Sequence, residues 1–317
     1  MKKDQLRSKS LFRQNFLLVV FGLFIVVLLV EGLFRIGELL VSETNRNNIR
    51  RQGAYRILCI GDSTTYGIGA SDRDKYSYPS QLQNILDANT VDKNFEVINL
   101  GSPGINSSQV LNRFEKNIID YKPDIVIMMI GINDPWNFEE SNILKYYNTS
   151  PTEALYVRFE LMLNQLKLYQ FLKLVYLSNK FKEPKVPAFD NKSRNNAVEF
   201  FKSDQDREEA LNMAIGNNIA NLNHISEAHN VKIIFMKYHK DGWRSPALII
   251  HHAYSQLNVS VVDNEHLFIK AKQMGLNVWG GDKWHPNDLG YLYMAKNIFN
   301  KLVALKLVDS KPVDIIK

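Results

Sequence analysis

The amino-acid sequence predicts an open α/β fold in which helices cover both faces of a parallel sheet. Segments with strand and helix character alternate along residues 55–307, as they do in chains built from strand–helix–strand units. The strand-like runs are almost continuously apolar, which is typical of parallel strands that are covered on both faces. Three of the runs end at a glycine, namely Gly61, Gly101 and Gly131. Ligands of such sheets bind at the carboxyl ends of the strands, so we expect a site where these glycines lie.

The predicted strands are short apolar runs within a chain of 317 residues, 45% of them hydrophobic, which is enough for one sizeable core. They cover residues 55–61, 95–101, 123–131 and 231–239, and a fifth strand lies within 259–268.

Between the strands, apolar residues recur at the spacing of an amphipathic helix. Leu82, Ile85 and Leu86 share one face of such a segment. The predicted helices cover residues 78–89, 107–121, 206–230, 245–257 and 286–307.

Residues 136–205 interrupt the alternation with an aromatic-rich helical piece and a polar stretch. We interpret them as an insertion that partly covers the site. Its aromatic side chains could form a sugar platform, an acyl groove or simply a local core. After the closing helix, we expect the tail 308–317 to be weakly ordered.

The N-terminus has the pattern of a membrane anchor. Residues 16–30 are uninterruptedly apolar, and counting on past Glu31 to residue 34 gives a run long enough to cross a bilayer. A cleaved signal peptide needs a small-x-small cleavage site after the apolar core, and residues 31–45 contain none. The sequence therefore predicts one uncleaved transmembrane helix over residues 16–41.

The charges beside this helix predict its orientation. Residues 1–15 form a basic segment, which stays in the cytoplasm by the positive-inside rule. Residues 42–54 are polar and are interpreted as a linker. The domain over residues 55–307 is then expected outside the cytoplasmic membrane, in a single-pass membrane protein.

Composition excludes several classes of site. Cys59 is the chain's single cysteine, which rules out an intramolecular disulfide and a zinc–cysteine cluster, and we interpret it as a small buried hydrophobe. His251 and His252 do not suggest a metal site, because adjacent helical residues point apart. The net charge of +6 is scattered along the chain, so no nucleic-acid partner is expected.

Ser63 has the position of a nucleophile, since it directly follows the first predicted strand. A serine hydroxyl needs a base and a third group that orients the base. His285 lies just before the closing helix, and Asp282 precedes it by three residues. A carboxylate at that spacing can accept the Nδ1–H of the imidazole and leave Nε2 free to face Ser63.

Such a reaction also needs hydrogen-bond donors for the oxyanion. The backbone N–H groups of Ser63 and Gly101 could supply two, and the side-chain amide of Asn133 a third. His239, at the end of the fourth strand, and Trp284 are further candidates for the pocket wall.

Each motif also has a purely structural explanation. A loop "GDS" or "GIND" is common turn chemistry, "DKWHP" could simply start a helix, and Gly101 could serve only for close backbone approach. All of them occur in one chain, with "GDS", Gly101 and "GIND" at predicted strand ends and "DKWHP" just before the closing helix. This joint occurrence favours the chemical interpretation.

Together the motifs resemble those of the GDSL/SGNH hydrolase superfamily. The matching segments are "GDS" at 61–63, "NLGSPG" at 99–104, "GIND" at 131–134 and "DKWHP" at 282–286. The resemblance implies a flavodoxin-like three-layer α/β/α sandwich that needs no metal and no organic cofactor. One departure is Thr64, which stands where the short family signature has leucine.

The resemblance also implies roles for individual residues. Ser63 would be the nucleophile, Asp282 and His285 would complete the triad, and Gly101 and Asn133 would form the oxyanion hole. The predicted function is a serine esterase that cleaves carboxylic esters, such as O-acetyl or O-acyl groups of cell-surface glycans or lipids, through an acyl-enzyme. An O-acyltransferase that uses the same triad and a non-catalytic glycan-binding module stay open as alternatives.

Overall fold

The structure is a computed structural model. It describes residues 53–90, 94–135, 137–138, 140–146, 204–238, 246–257, 259–282 and 284–316, and parts of 15–36 and 155–169. The chain forms two compact units, one of residues 1–49 and 162–185 and the other of residues 50–161 and 186–317. The second unit contains the sheet and all of the predicted site residues.

In the described part of the chain, the sheet has five strands, all parallel. They are β1 (Tyr55–Gly61), β2 (Phe95–Gly101), β3 (Ile125–Met129), β4 (Lys232–Met236) and β5 (Val261–Val262). Their spatial order is β2-β1-β3-β4-β5, which is the flavodoxin-like order. The predicted parallel α/β fold is confirmed.

The central strands are apolar because both of their faces are covered. Every residue of β3 is buried, and Leu58 and Cys59 in β1 are fully buried, as expected for a parallel sheet between helices. In register, Gly61 lies opposite Gly101 on one side and Met129 on the other. The carboxyl ends of β1, β2 and β3 therefore meet at one edge of the sheet.

The predicted helices are confirmed, with ends that differ by up to three residues. The described helices are α1 (Ser63–Tyr66), α2 (Arg73–Tyr76), α3 (Tyr78–Asn89), α4 (Ser107–Tyr121), α5 (Asp204–Ala228), α6 (Pro246–Gln256), α7 (Asn264–Gln273) and α8 (Asp288–Ala304), with a 3₁₀ turn at Ile143–Lys145. The prediction missed α1, α2 and α7. It overlooked α7 because β5 ends after two residues, where Asp263 caps the next helix by accepting a hydrogen bond from the His266 N–H.

The helices form two groups. In the sheet, β2 lies on one side of β1, and β3, β4 and β5 follow on the other side. The connection from β1 to β2 therefore runs in the opposite direction to the three later connections. Because such connections are right-handed, α3 lies on one face of the sheet and α4, α5 and α6 lie on the other. The packing agrees, because α3 contacts α8 whereas α5 contacts α4 and α6.

The expectation of a weakly ordered tail is wrong. The Asn300 side chain of α8 exchanges two hydrogen bonds of 2.8 Å with the backbone of Val313, and Lys296 donates to the Asp314 carbonyl at 2.8 Å. Val308 is buried. The tail therefore packs along α8, a contact between distant residues that local composition does not reveal.

Most of the predicted insertion over 136–205 lies outside the described residues, so its expected covering of the site stays a prediction. Its first residues pack on the domain, since Ile143 joins a buried cluster with Ala210, Leu211 and Ala214 of α5. Phe138 and Tyr146 pack against this cluster.

In the other unit, the described positions of 15–36 are helical, and apolar side chains such as Leu17 and Phe21 are exposed. Glu31 is buried and accepts hydrogen bonds from Arg35 and from the Leu168 N–H. Among the residues that the structure describes, no helix combines the length and the apolar character needed to span a bilayer. The transmembrane helix over 16–41 stays a prediction without support from the structure. Its last residues, 37–41, lie outside the described part, as do most of the segments 1–15 and 42–54.

Candidate active site

Ser63 lies at the sharp turn where β1 passes into α1. Asp62 caps this helix, since its Oδ1 accepts a hydrogen bond of 2.8 Å from the Thr64 N–H. Ser63 is the first helical residue and is only half-buried. The backbone N–H groups of a first turn have no acceptor within their own helix. The turn thus presents both a hydroxyl and an N–H group at the carboxyl end of β1.

Glycines let this turn pack closely against the sheet. A Cβ at Gly61 would overlap the Thr65 side chain and lie 2.6 Å from the Met129 carbonyl oxygen. A Cβ at Gly101 would overlap the backbone of Thr65 and Tyr66. Both positions therefore exclude any side chain.

Asp282, His285 and Ser63 form a continuous hydrogen-bonded chain. The Ser63 Oγ and the His285 Nε2 are 2.8 Å apart, and the His285 Nδ1 lies 2.6 Å from the Asp282 Oδ2. The other carboxylate oxygen of Asp282 accepts the backbone N–H groups of Trp284 and His285, at 2.8 and 2.9 Å. The carboxylate thus fixes both the loop and the imidazole.

Contacts between the segment after α1 and the start of α8 bring the base to the serine across 222 positions of sequence. The backbone N–H and hydroxyl of Ser71 donate to the Asp288 carboxylate, at 2.8 and 2.5 Å. The Tyr291 hydroxyl donates to the Ile68 carbonyl at 2.6 Å. At Gly69, a Cβ would lie 2.5 Å from the Pro286 carbonyl oxygen, so the two segments touch directly.

The surroundings of Asp282 favour its ionised form. Partial burial raises the pKa of this carboxyl, but hydrogen bonds from the His285 backbone and imidazole and from the Trp284 N–H outweigh it. The net pKa is lower than that of an ordinary aspartate. Asp282 is therefore charged at neutral pH and can stabilise a protonated imidazole.

Asn133 lies in the turn that follows β3, beside the end of β1. Its side chain is buried, and its Nδ2 donates a hydrogen bond of 3.0 Å to the Ile105 carbonyl. This bond fixes the side-chain amide in the turn.

The next residue, Asp134, anchors this turn to the N-terminus of α4. Its buried carboxylate accepts the Ser107 N–H at 2.9 Å and the Ser107 hydroxyl, and the Asn218 amide donates to the same hydroxyl at 2.7 Å. Burial raises the pKa of Asp134 to about 6, although the bonds from Ser107 oppose the shift. The predicted Asn133 donor is thus held by a buried polar network that the sequence did not reveal.

Gly101 is not placed as an oxyanion donor should be. Its N–H donates a hydrogen bond of 2.8 Å to the Asn99 Oδ1, and its missing side chain makes room for the backbone of α1. The geometry favours the structural alternative, close backbone approach, over the predicted chemical role.

Gly104 in the same motif was overlooked. It has a φ of +79°, which favours glycine, and none of the described residues accepts a hydrogen bond from its N–H. Its loop is fastened to the turn of Asn133, because the Asn137 amide donates to the Gly104 carbonyl at 2.7 Å. The Pro103-Gly104 dipeptide, a common turn signal, could have marked the position.

The other candidates contribute less. His239 lies outside the described residues, and Trp284 is half-buried beside Asp282. No cluster of three or more metal-ligating side chains occurs in the part of the chain that the structure describes. Cys59 is fully buried, and burial raises the pKa of its thiol.

Comparison with known proteins places this site in a family. Residues 59–292, about three quarters of the chain, match the GDSL-like Lipase/Acylhydrolase family. An acetylxylan esterase from Xylanibacter ruminicola is 36% identical over an alignment of 93 residues, and the match covers 26% of this chain and 18% of that protein. The chain thus matches less than a fifth of the length of that curated relative.

The chain is similar to a solved structure of a lipase/acylhydrolase from Enterococcus faecalis, with 15% identity and a TM-score of 0.47. That match covers 82% of this chain and 98% of the other. A catalytic mutant of an acetylxylan esterase from Geobacillus stearothermophilus is 18% identical with a TM-score of 0.46, covering 80% and 96% of the two chains. Because its family match runs from Cys59 in β1 to the start of α8, the chain belongs to the GDSL-like lipase/acylhydrolase family of ester hydrolases.

Proposed function

We propose that the protein is a serine-dependent esterase whose triad is Ser63, His285 and Asp282. The observation that carries the proposal is the unbroken chain of hydrogen bonds, 2.8 Å from serine to imidazole and 2.6 Å from imidazole to carboxylate. Such a chain is the arrangement that nucleophilic catalysis by serine requires.

In the proposed first step, the Ser63 Oγ attacks the carbonyl carbon of an ester while the His285 Nε2 takes the hydroxyl proton. The carbonyl π electrons move to oxygen and form a tetrahedral oxyanion. When this intermediate collapses, the bond to the alcohol breaks, and His285 returns the proton to the leaving oxygen. Water, deprotonated by the same nitrogen, then attacks the carbonyl carbon of the acyl-serine. As the bond to Ser63 Oγ breaks and the acid leaves, His285 returns the proton to Oγ.

The oxyanion needs donors at the same edge of the sheet. The Ser63 N–H is available at the start of α1, and the Asn133 amide lies in the neighbouring turn. For the third donor we favour the Gly104 N–H over that of Gly101, because Asn99 already accepts the latter.

The substrates we propose are O-acetyl or other short O-acyl groups on glycans, with acyl lipids as the second class. The acetylxylan esterase that this chain resembles over 93 residues supports the first class. An O-acyltransferase would use the same triad with a sugar hydroxyl in place of water. A non-catalytic glycan-binding module would have no need of an assembled triad.

The proposed location is the outer side of a cytoplasmic membrane, with residues 16–41 as anchor. The apolar run over 16–30 and its basic flank are the support for it. Fractionation of cells that express the full chain, with and without residues 1–41, tests this proposal. Equal release of both proteins into the soluble fraction would refute it.

The catalytic proposal is tested with the full chain and 4-nitrophenyl acetate. We expect turnover by the wild type, and Ser63→Ala should lose it because, among the described residues, the Ser63 hydroxyl is the one that bonds the imidazole Nε2. Ser255→Ala is a matched control, since Ser255 is exposed and its hydroxyl donates to the His252 carbonyl of its own helix α6. Equal rates for Ser63→Ala and the wild type would exclude the esterase mechanism and favour a binding module.

A further inference from the structure

Tyr238, which follows β4, is a buried tyrosine that the proposed mechanism does not use. The N–H of the preceding residue, Lys237, donates to the Val262 carbonyl of β5 at 2.9 Å, so the backbone at Tyr238 is still held by the sheet. The hydroxyl of a buried tyrosine usually has a hydrogen-bond partner. The partners of this hydroxyl belong to the two turns that carry the proposed catalytic groups.

The first partner is Asp62, which directly precedes Ser63. The Tyr238 hydroxyl donates to the Asp62 Oδ2 at 2.6 Å, at the short end of the range for hydrogen bonds between two oxygens. The Oδ1 of the same carboxyl accepts the Thr64 N–H at 2.8 Å and caps α1. The tyrosine therefore holds the carboxyl that fixes the turn of Ser63.

The second partner is Ile132, which directly precedes Asn133. Its N–H donates to the Tyr238 hydroxyl at a long 3.4 Å. Because β3 lies between β1 and β4 in the sheet, Tyr238 reaches from the end of β4 past the end of β3 to the end of β1. Burial raises the pKa of Tyr238 well above its ordinary value, so the hydroxyl keeps its proton at neutral pH.

This link matters because the proposed oxyanion donors lie on different turns. The Ser63 N–H follows β1 and the Asn133 amide follows β3, yet both must reach one oxygen of the substrate. A misplacement of about 1 Å in such a site can lower the rate roughly 10²-fold. We propose that the Tyr238 hydroxyl sets the spacing between these two turns and thereby aligns the two donors on the oxyanion.

The inference rests on the proposed function, in which the Ser63 N–H and the Asn133 amide stabilise the oxyanion. Tyr238 touches no reacting atom and is a positioning residue. Because the oxyanion forms only after the ester has bound, poor alignment should lower kcat and leave KM unchanged.

Tyr254 in α6 provides a matched control. Its side chain is also buried, and its ring packs against Phe235 of β4 with the two ring centroids 5.0 Å apart. Its hydroxyl has no hydrogen-bond partner among the described residues. Tyr238→Phe and Tyr254→Phe each remove one buried hydroxyl, but only the first removes the bonds to Asp62 and Ile132.

The kinetic test uses the full-length protein and 4-nitrophenyl acetate, with thermal unfolding to show that each variant is folded. Tyr238→Phe should lower kcat about fivefold or more with KM unchanged, and Tyr254→Phe should leave both constants as in the wild type. When Asn133 is already alanine, Tyr238→Phe should lower kcat by less than about twofold, because the amide that it aligns is gone.

Equal kcat values for the two tyrosine variants would overturn the proposal. The same loss from Tyr238→Phe with and without the Asn133 amide would overturn it as well, because a purely structural contribution does not depend on that amide. A wild type no more active than Ser63→Ala would instead refute the esterase function.

A second measurement needs no turnover. The exchange of the Ile132 amide hydrogen with deuterium is followed by NMR, with the amide of the fully buried Ile127 in β3 as a reference for global unfolding. Relative to that reference, the Ile132 amide should exchange about tenfold faster in Tyr238→Phe than in Tyr254→Phe, because it has lost its acceptor. Equal exchange in the two variants would overturn the link even in an active esterase. Faster exchange in a protein without esterase activity would support the link and refute the proposed function.

Discussion

The turn after β1 and the loop before α8 hold the two ends of the proposed triad in different ways. In the turn, the Asp62 carboxylate is completely enclosed, and burial raises its pKa. In the loop, the Asp282 carboxylate is partly exposed, and three hydrogen bonds from its own segment lower its pKa below the ordinary value. The two carboxylates thus have opposite pKa shifts. The difference teaches that burial favours the neutral form of the enclosed Asp62, whereas the partly exposed Asp282, which directly contacts the imidazole, is held in its ionised form by its hydrogen bonds.

The strongest test of this comparison removes the charge from the loop. Asp282→Asn places an amide where Nδ1 and two backbone N–H groups need an acceptor, so we expect kcat to fall roughly 10³- to 10⁴-fold. This loss should exceed that of Asp62→Asn by at least tenfold. Steady-state kinetics on 4-nitrophenyl acetate, with the exposed Asp309→Asn as control, checks the prediction. Equal losses in the two carboxylate variants would contradict the difference drawn between turn and loop.

A second test concerns the turn after β3, which lies next to that of the nucleophile. Asn133→Ala should lower kcat about 10²- to 10³-fold with little change in KM, because the amide acts on the oxyanion rather than on the bound ester. Thermal unfolding must show that the variant is folded, since its amide also holds the Ile105 carbonyl. A folded Asn133→Ala protein with wild-type kcat would remove this residue from the site.

A third test distinguishes the roles of two glycines. Gly101 packs against the backbone of α1, whereas the loop of Gly104 is bound to Asn137 in the segment after β3. Gly101→Ala should destabilise the protein by several kcal/mol, since its Cβ would overlap backbone atoms of α1. Gly104→Ala should cost only about 1–2 kcal/mol, for its positive φ, but should lower kcat in the folded protein. Urea unfolding and kinetics on both variants distinguish the two effects. A stable, inactive Gly101→Ala protein would restore the oxyanion role predicted from sequence.

The smallest expected effect concerns the pH dependence of stability. Asp134 has a pKa of about 6 in the folded protein, above the value of about 3.9 for an unfolded aspartate. The folded state therefore binds this proton more tightly than the unfolded state does. As pH rises from about 4 to 6 the proton is released, and the free energy of unfolding falls by up to roughly 3 kcal/mol.

Replacement of Asp134 by asparagine removes this contribution. The free energy of unfolding of Asp134→Asn minus that of the wild type should accordingly rise between pH 4 and pH 6. Urea unfolding at several pH values measures the difference. A difference that is flat or falls with pH would show that Asp134 is not a buried, proton-binding carboxyl.

Sequence patterns predicted the sheet well because its strands are apolar on both faces, and β1 and β2 have the bounds expected from their runs. They also pointed to Ser63, Asp282 and His285, which the structure joins by hydrogen bonds. Catalytic roles for these residues stay predictions until they are measured.

Sequence patterns did not predict the contacts between distant segments. The bond between Tyr238 and Asp62 spans 176 positions, and nothing in the local composition of either segment predicts it. Gly101 was assigned a chemical role because a glycine at a strand end can serve either packing or catalysis. Only the position of the α1 backbone distinguishes the two. The short helix α7 was hidden because a two-residue strand leaves no periodic pattern.

The 222 positions between Ser63 and His285 have a consequence for biosynthesis. A nascent chain exposes Ser63 first, and His285 emerges from the ribosome 222 residues later. Until the segment of His285 docks, the Ser63 hydroxyl lacks its hydrogen bond to the imidazole. Under the proposed mechanism, a product truncated between the two residues has the serine without its base and should not turn over an ester.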